Sequence, residues 1–253
     1  MSGSIRLFVE AALSAGAEIA ATAGQAHYLG SVMRRSAGDP VRLFNGRDGE
    51  WDARIAAVRR DKATLIVQSQ VRPQAAEPGP WLVFALLKRD ATDLVVQKAT
   101  ELGAAALLPV FTERTNAGRA NIARLGAIAI EAAEQSERLT MPAIQQPQPL
   151  SALLAGWPPE RRLFVAAERS DAPVLLQARM APPTPPPTLE TTTGPFAATA
   201  LLVGPEGGFS ATELDGLQAH AFVTLVSLGP RILRAETAAI AGLALLQAPV
   251  FGL

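Results

Sequence analysis

Residues 201–210 have the sequence Leu201-Leu202-Val203-Gly204-Pro205-Glu206-Gly207-Gly208-Phe209-Ser210, and the chain continues with Ala211-Thr212-Glu213. A short apolar strand enters a glycine-rich turn, and Ser210 with Glu213 has the spacing of a capping box that opens a helix. The glycines let a ligand approach the main chain closely. Glu206 disfavours a phosphate-binding loop, because its carboxylate would repel phosphate and no Gly-Lys-Ser/Thr follows. The turn suits ribose hydroxyls or a cationic ligand, or it is simply a connecting turn.

A second strand-to-helix loop has the sequence Leu228-Gly229-Pro230-Arg231-Ile232-Leu233-Arg234-Ala235-Glu236-Thr237-Ala238. It follows the apolar strand 222–228 and opens the terminal helix, residues 236–247. In open α/β sheets, ligands bind in a crevice at the carboxyl ends of the strands. The two loops, taken at adjacent carboxyl ends, therefore predict a ligand site at one edge of a parallel sheet.

The chain after Trp81 alternates between strand and helix patterns, which predicts a largely parallel sheet covered on both faces. The other predicted strands are residues 81–87, 105–110, 162–167 and 199–203. The other predicted helices are residues 92–102, with Gly103 as a C-cap, 121–138, with Asn121 as the N-cap, and 211–220.

The first part of the chain reads as short strands. Residues 41–44 and 50–55 flank the hairpin signal Asn45-Gly46, and residues 63–67 alternate like a half-buried strand. A small closed β-barrel is the natural architecture for such strands. Residues 73–80 are rich in proline and lack apolar periodicity, so they predict an interdomain linker.

The 253 residues carry no net charge and include no cysteine. This excludes disulfides and thiolate zinc sites, and with no signal peptide or membrane span apparent it predicts a cytoplasmic protein. Residues 1–72 hold 10 Lys and Arg against 7 Asp and Glu, a slight excess compatible with phosphate contacts. The proline-rich segment 179–198 is interpreted as an inert surface excursion, with partner binding as the alternative.

The two loops together, "LLVGPEGGFS" and "VSLGPRILRAET", resemble the signature of the SPOUT methyltransferases. More narrowly, the chain resembles the 16S ribosomal RNA uracil-N3 methyltransferases, the RsmE family. Other similar segments are "HYLGSVMRRSAGDPVRLFNG" (27–46), "VVQKATELGAAALLPVFTERT" (95–115) and "AIEAAEQSERLTMP" (129–142). The resemblance runs in order over most of the chain.

This resemblance implies a PUA-like, RNA-binding β-barrel at 1–72 and, after the linker, a SPOUT α/β domain at 81–253 with a C-terminal trefoil knot. It also implies a homodimer that uses S-adenosylmethionine and acts on 16S ribosomal RNA in the small subunit, without metal or membrane. Two segments depart from the family pattern. Arg89, Ala91 and Thr92 replace the usual Gly, Lys and Met, and Glu137 stands where glycine is usual.

Methylation of uracil N3 requires removal of a weakly acidic imide proton and stabilisation of the resulting anion. Because N3 lies on the Watson–Crick edge, the target must be single-stranded or flipped out. Arg234 is the first candidate for the stabilising cation, with helix capping or a salt bridge as the alternative. Glu236 would accept the proton or orient Arg234, and Glu206 would serve the cofactor or only stabilise its turn. Neither His27 nor His220 is assigned a catalytic role.

The resemblance implies further site residues. Those expected to frame the cofactor are Leu201, Gly204, Pro205, Glu206, Gly207, Leu228, Gly229, Ile232 and Leu233. Those expected to contact RNA are Arg6, Arg34, Arg35 and Arg114. Residues 134–136 are expected near the active crevice, or on a solvated helix face.

Three alternatives remain open at this point. The chain could be a SPOUT methyltransferase that acts on another RNA or another atom. It could be a non-catalytic RNA-binding protein of ribosome assembly. A nucleotide-phosphate binder built on the glycine-rich loop is disfavoured by Glu206.

Overall fold

The computed structural model describes residues 5–167, 172–180 and 198–248. These residues form two compact units. The first contains residues 5–77 and 133–141, and the second contains residues 78–132 and the described part of 142–248. Most of the predicted proline-rich excursion, residues 181–197, lies outside the described residues. Residues 133–141 belong to the first unit. The contiguous first domain predicted from the sequence did not include them.

The first unit is built on a five-stranded sheet. Its strands are β1 (Arg6–Phe8), β2 (Glu18–Ala20), β3 (Pro40–Phe44), β4 (Glu50–Arg59) and β5 (Lys62–Arg72), in the order β1-β3-β4-β5-β2. Strands β1 and β3 are parallel and the other pairs are antiparallel. Helix α1 (Ala23–His27) continues into a π-helical turn, Tyr28–Val32.

Local sequence explains the β3–β4 hairpin. The side chain of Asn45 accepts hydrogen bonds from the backbone N–H groups of Arg47 (3.0 Å) and Asp48 (2.8 Å), and Gly46 has a φ of 78°. Every second residue of β5, from Ala63 to Val67, is buried in the core of the unit. The predicted hairpin and the predicted alternation are therefore confirmed.

A buried ion-pair network holds the first unit together. Glu50 is 1% exposed and accepts hydrogen bonds from Nε of Arg6 and from Nε of Arg72 (2.8 Å). The remaining Arg6 nitrogens donate to the backbone carbonyls of Ala133 (2.6 Å) and Arg138. Burial raises the pKa of Glu50, but the hydrogen bonds and charges of the two arginines outweigh it, so the pKa lies below its ordinary value. Arg6 thus ties β1 to residues 133–138.

The second unit contains a seven-stranded sheet with parallel pairing. Its strands are β6 (Trp81–Ala85), β7 (Ala106–Phe111), β8 (Ala143–Ile144), β9 (Gln148–Pro149), β10 (Arg162–Ala166), β11 (Thr199–Val203) and β12 (Val223–Val226). The order is β12-β10-β11-β6-β7-β8, and β9 also pairs with β7. The helices that follow α1 are α2 (Arg89–Glu101), α3 (Ile122–Gln135), α4 (Leu150–Ala155), α5 (Leu175–Met180), α6 (Ala211–Gln218) and α7 (Ala235–Gln247).

The predicted α/β class is confirmed, and one boundary difference with a clear physical cause lies at the end of α3. The sequence predicted a helix to about Arg138, whereas α3 ends at Gln135. Glu137 has a φ of 59°, a left-handed conformation that ends a right-handed helix. Glycine adopts this conformation most readily, which gives a physical reason for the glycine that the family pattern noted in the sequence has at this position.

We predict that Glu50→Gln lowers the free energy of unfolding by about 3–5 kcal/mol at pH 7, because Arg6 keeps its buried charge without a carboxylate partner. Urea denaturation measures the change, with Glu18→Gln at an exposed site of β2 as the control of equal charge change. A lowered pKa in the folded state contributes stability at neutral pH that is lost as pH falls through that pKa. The difference between wild type and variant should therefore shrink in acid. Equal stability of the two variants at pH 7 would contradict this account.

Candidate functional site

The carboxyl ends of β10, β11 and β12 surround one cavity of ≈ 1150 Å³. Loop 204–210 follows β11 and loop 227–234 follows β12, as the sequence predicted. The two strands are not neighbours, however, because β10 pairs with both. The end of β10 contributes Ala166 and Ala167 to the lining, and their small side chains leave room between the loops.

The glycine-rich loop is folded tightly at its start. The backbone N–H of Gly208 donates to the carbonyl of Pro205 (2.9 Å), and Gly208 has a φ of 66°. The ring of Phe209 folds back over Gly204, where an added Cβ would lie 2.9 Å from the ring. Glu206 is exposed at the tip and lines the cavity. This loop therefore presents main-chain groups and one carboxylate to the cavity.

The predicted capping box at the end of this loop is confirmed. Ser210 Oγ accepts from the backbone N–H of Glu213 (3.1 Å), and Glu213 Oε2 accepts from the backbone N–H of Ser210 (3.0 Å). The other carboxylate oxygen of Glu213 accepts from the backbone N–H of Glu113 (2.8 Å). The first turn of α6 is thus linked to the loop that follows β7.

Arg114 braces the glycine-rich loop. Its Nη1 donates to the carbonyl of Gly207 at 2.8 Å and lies 3.4 Å from that of Phe209. An added Cβ on Gly207 would lie 3.5 Å from the Arg114 side chain. Arg114 was predicted to contact RNA; the structure gives it a contact with the loop and places it in the cavity lining, and the RNA contact stays a prediction.

The second loop is held by hydrogen bonds at Ser227 and has a positive φ at Gly229. Ser227 accepts through its carbonyl from Leu175 N–H (3.0 Å), and its Oγ accepts from Gly229 N–H (3.2 Å). Gly229 has a φ of 121°, which a residue with a side chain adopts only with strain. The loop then exposes Ile232, whose side chain is 56% accessible.

Arg234 and Glu236 lie where this loop becomes α7. Arg234 is the N-cap residue, and its carbonyl accepts from Ala238 N–H (2.8 Å). Its side chain caps nothing and forms no salt bridge with any residue that the structure describes. The capping and ion-pair alternatives for Arg234 are therefore not supported. Glu236, in the first turn of α7, lines the same cavity.

Eight of the nine predicted cofactor residues line the cavity, and Leu201 does not. Leu201 is fully buried in β11, where its side chain packs against Gly242 of α7. The lining also includes residues that sequence reasoning missed, among them Lys88, Ala167, Val174 and Leu214. Lys88 follows β6 at the same sheet edge, so the strand order was the signal that could have found it.

The predicted RNA contacts divide into buried and exposed residues. The prediction for Arg6 is wrong in this structure, because its guanidinium is committed to Glu50 and to two carbonyls of the first unit. Arg34 is exposed and Arg35 is half-buried. Residues 134–136 do not line the cavity; Glu134 belongs to the first unit and accepts from Phe8 N–H (2.8 Å).

Within residues 5–167, 172–180 and 198–248, none of the helices combines the length and the apolar composition that a membrane span requires. No group of three or more His, Cys, Asp or Glu side chains there could hold a metal ion.

Comparison with protein families and known proteins agrees with this architecture. An RNA methyltransferase domain model matches residues 77–247, and an RNA methyltransferase PUA domain model matches residues 21–68. The Rickettsia conorii ribosomal RNA small subunit methyltransferase E is 31% identical over 94% of this chain and 93% of its own length. The Synechocystis protein of the same name is 33% identical over 92% of this chain and 73% of its length.

Solved structures give the same result. A ribosomal RNA small subunit methyltransferase E from Neisseria gonorrhoeae, bound to S-adenosylmethionine, has a TM-score of 0.80 at 27% identity, and 98% of each chain is covered. A protein from Legionella pneumophila, solved with the cofactor SAM, has a TM-score of 0.83 at 29% identity, with 98% of each chain covered. The resemblance seen in the sequence is confirmed, and the chain belongs to the RNA methyltransferase family that includes ribosomal RNA small subunit methyltransferase E.

Proposed function

We propose that this protein transfers a methyl group from S-adenosylmethionine to N3 of one uridine in 16S ribosomal RNA of the small subunit. The observation that carries the proposal is Arg234, which lines the cavity of an RNA methyltransferase domain and whose side chain has no partner among the described residues. An unpaired arginine beside a ligand cavity can stabilise an anion that forms during a reaction.

The cavity fits S-adenosylmethionine in size and chemistry. Its volume of ≈ 1150 Å³ exceeds the range of about 300–1,000 Å³ typical of small-molecule sites, which leaves room for a base as well. Apolar side chains such as Val203 and Leu228 suit a purine ring. The main chain at Gly208 and Gly229 is open to close approach, because an added Cβ at either position would meet no atom within 4 Å. Glu206 suits the ribose hydroxyls or the positive charge of the donor.

The cofactor, when bound, supplies a methyl group on a sulfonium as the electrophile. Arg234 would lie beside the uracil carbonyls and favour the N3-deprotonated base, whose lone pair forms the new N–C bond as the C–S bond breaks. Glu236, two residues further along the same helix start, would accept the N3 proton or hold Arg234 in place. Leu201 would act indirectly, because its side chain packs against Gly242 of α7.

Several finer features of the proposal rest on the resemblance. We propose a trefoil knot within residues 81–253, a homodimer, and action in the cytoplasm during ribosome biogenesis. We also propose an RNA-binding role for residues 1–72, with residues 73–80 as the linker before β6. The exposed side chain of Ile232 supports the dimer, since a large apolar side chain beside a ligand cavity suits a protein contact.

The target position is tested on ribosomal RNA from a strain that lacks the gene. We expect 16S ribosomal RNA from this strain to lack one N3-methyluridine, as detected by mass spectrometry. Purified protein with S-adenosylmethionine should restore this methyluridine on isolated small subunits. Loss of a different methylated nucleoside would move the assignment to another atom. Unchanged modification together with no cofactor binding in calorimetry would favour a non-catalytic assembly protein.

We predict that Arg234→Ala lowers kcat by about 10²–10³-fold, because one positioned charge that stabilises a reaction anion has effects of this size. Cofactor affinity should stay within about threefold, which corresponds to less than about 1 kcal/mol of binding free energy. Single-turnover methyl transfer and calorimetry measure the two effects. Arg234→Lys, which keeps a cation, should recover part of the activity. Full turnover by the alanine variant would exclude the proposed role of Arg234.

We predict that Gly204→Ala lowers S-adenosylmethionine affinity by about tenfold, because the new Cβ would displace the Phe209 ring and the loop with it. Calorimetry with the purified variant measures the affinity. The matched control is Gly216→Ala, in exposed α6, where an added Cβ meets no atom within 4 Å. This control should bind the cofactor like wild type. Equal affinity of all three proteins would mean that the packing of Phe209 on Gly204 does not shape the cofactor site.

A further inference from the structure

Two distant segments of the first unit meet on one face. The two-residue turn between β4 and β5 is Arg60-Asp61, and Arg59 and Lys62 pair across it. This hairpin tip packs against α1 and the π-helical turn: an added Cβ on Gly30 would lie 3.1 Å from Val58 Cγ2. A hollow of ≈ 430 Å³ joins the segments and is lined by Ala23, His27, Ser31, Arg60 and Asp61. We call residues 27–35 with 59–62 the tip surface.

The tip surface carries an excess of positive charge. Its cationic side chains are Arg34, Arg35, Arg59, Arg60 and Lys62, and all but the half-buried Arg35 are exposed. Asp61 is its only acidic residue. Within the part of the chain that the structure describes, none of these cations forms a salt bridge or a side-chain hydrogen bond. The charges are therefore available to an anionic partner.

Two of these arginines occupy backbone conformations that suit glycine better. Arg34 has a φ of 52° and Arg60 a φ of 35°, and the only other non-glycine residue with positive φ in the described chain is Glu137. Arg60 is the first central residue of a two-residue hairpin turn, a position where glycine is preferred when φ is positive. Neither arginine side chain has a hydrogen bond or salt bridge with a described residue that would offset this strain. Strain at such sites points to a role outside the fold.

The remaining features of the tip surface favour RNA over other anions. Val32 and Met33, next to Arg34, are 58% and 39% exposed, so the surface offers apolar contacts as well as charge. RNA is recognised through its phosphates, which need positive charge, and through the faces of its unpaired bases, which need apolar contacts. The match to the RNA methyltransferase PUA domain, residues 21–68, spans both segments.

We propose that the tip surface is the RNA-docking surface of the first unit, with Arg34 and Arg60 contacting phosphates of 16S ribosomal RNA and Arg59 and Lys62 beside them. The proposal rests on the proposed function, which supplies the RNA. It extends the predicted pair Arg34 and Arg35 to a second segment that sequence reasoning did not identify.

The test compares Arg34→Gly/Arg60→Gly with Arg34→Lys/Arg60→Lys in the full-length protein. The glycine variant should keep or raise its Tm, because glycine removes the strain, yet bind 16S ribosomal RNA about tenfold more weakly at 100 mM salt. The slope of log affinity against log salt should fall by about 1 to 2, the number of phosphate contacts removed. The lysine variant keeps the charge and should retain most of the affinity and the slope.

Binding is measured with naked 16S ribosomal RNA and with small subunits, and methyl transfer by wild type is measured in parallel. Unchanged RNA affinity and salt slope in the glycine variant would overturn the docking surface. Weakened binding to subunits but not to naked RNA would overturn it too, because the partner would be a ribosomal protein. Either result leaves wild-type methyl transfer intact, whereas failure of the proposed function removes transfer from wild type itself.

Discussion

The position of β10 between β11 and β12 is the constraint on which the candidate site depends. Parallel strands bring their carboxyl ends to one edge, and β10 keeps the two functional loops one strand apart. The small side chains of Ala166 and Ala167, at the end of β10, lie between these loops. The cavity is therefore a consequence of strand order, and loop sequence decides only what its walls present.

The walls are held by contacts that local sequence alone does not provide. The glycine-rich loop has little stiffness of its own, because its glycines restrict the backbone weakly. Arg114 and Glu113, from the end of β7, attach to this loop and to α6 through charge-assisted hydrogen bonds. A flexible loop thus gains a fixed shape from a strand two positions away in the sheet. Such preorganisation is what a site needs to act on a small ligand.

The sequence predicted best those features whose causes are local. The capping box at Ser210, the Asn45-Gly46 hairpin and the alternation in β5 depend on residues a few positions apart, and the structure has all three. The burial of Arg6 could not be predicted, because it depends on Glu50 and on two carbonyls more than a hundred residues further along the chain. Lys88 escaped notice for the same reason, since strand order brings it to the cavity.

The left-handed positions show a different limit of sequence reasoning. Arginine at 34 and 60 gives no local signal of positive φ, since the residues that usually mark it are glycine and asparagine. The same is true of Glu137, where the likeness to related sequences identified a departure but not its backbone cause. A residue that contradicts local preference becomes informative only once its torsion angle is known.

The exposure of Arg234 has a consequence for when the site can act. In water an exposed charge is strongly screened, and the attraction between unit charges at 4 Å is only about 1 kcal/mol. The same charge has a much larger effect once a ligand excludes water from around it. Arg234 is exposed in the free chain, so its proposed effect on a base develops fully only when cofactor and RNA cover the cavity. Under the proposed role of Arg234, the substrate itself would complete the low-dielectric site, so binding of the correct RNA and catalysis would be coupled. A nucleotide that fails to cover the cavity would gain little from the arginine.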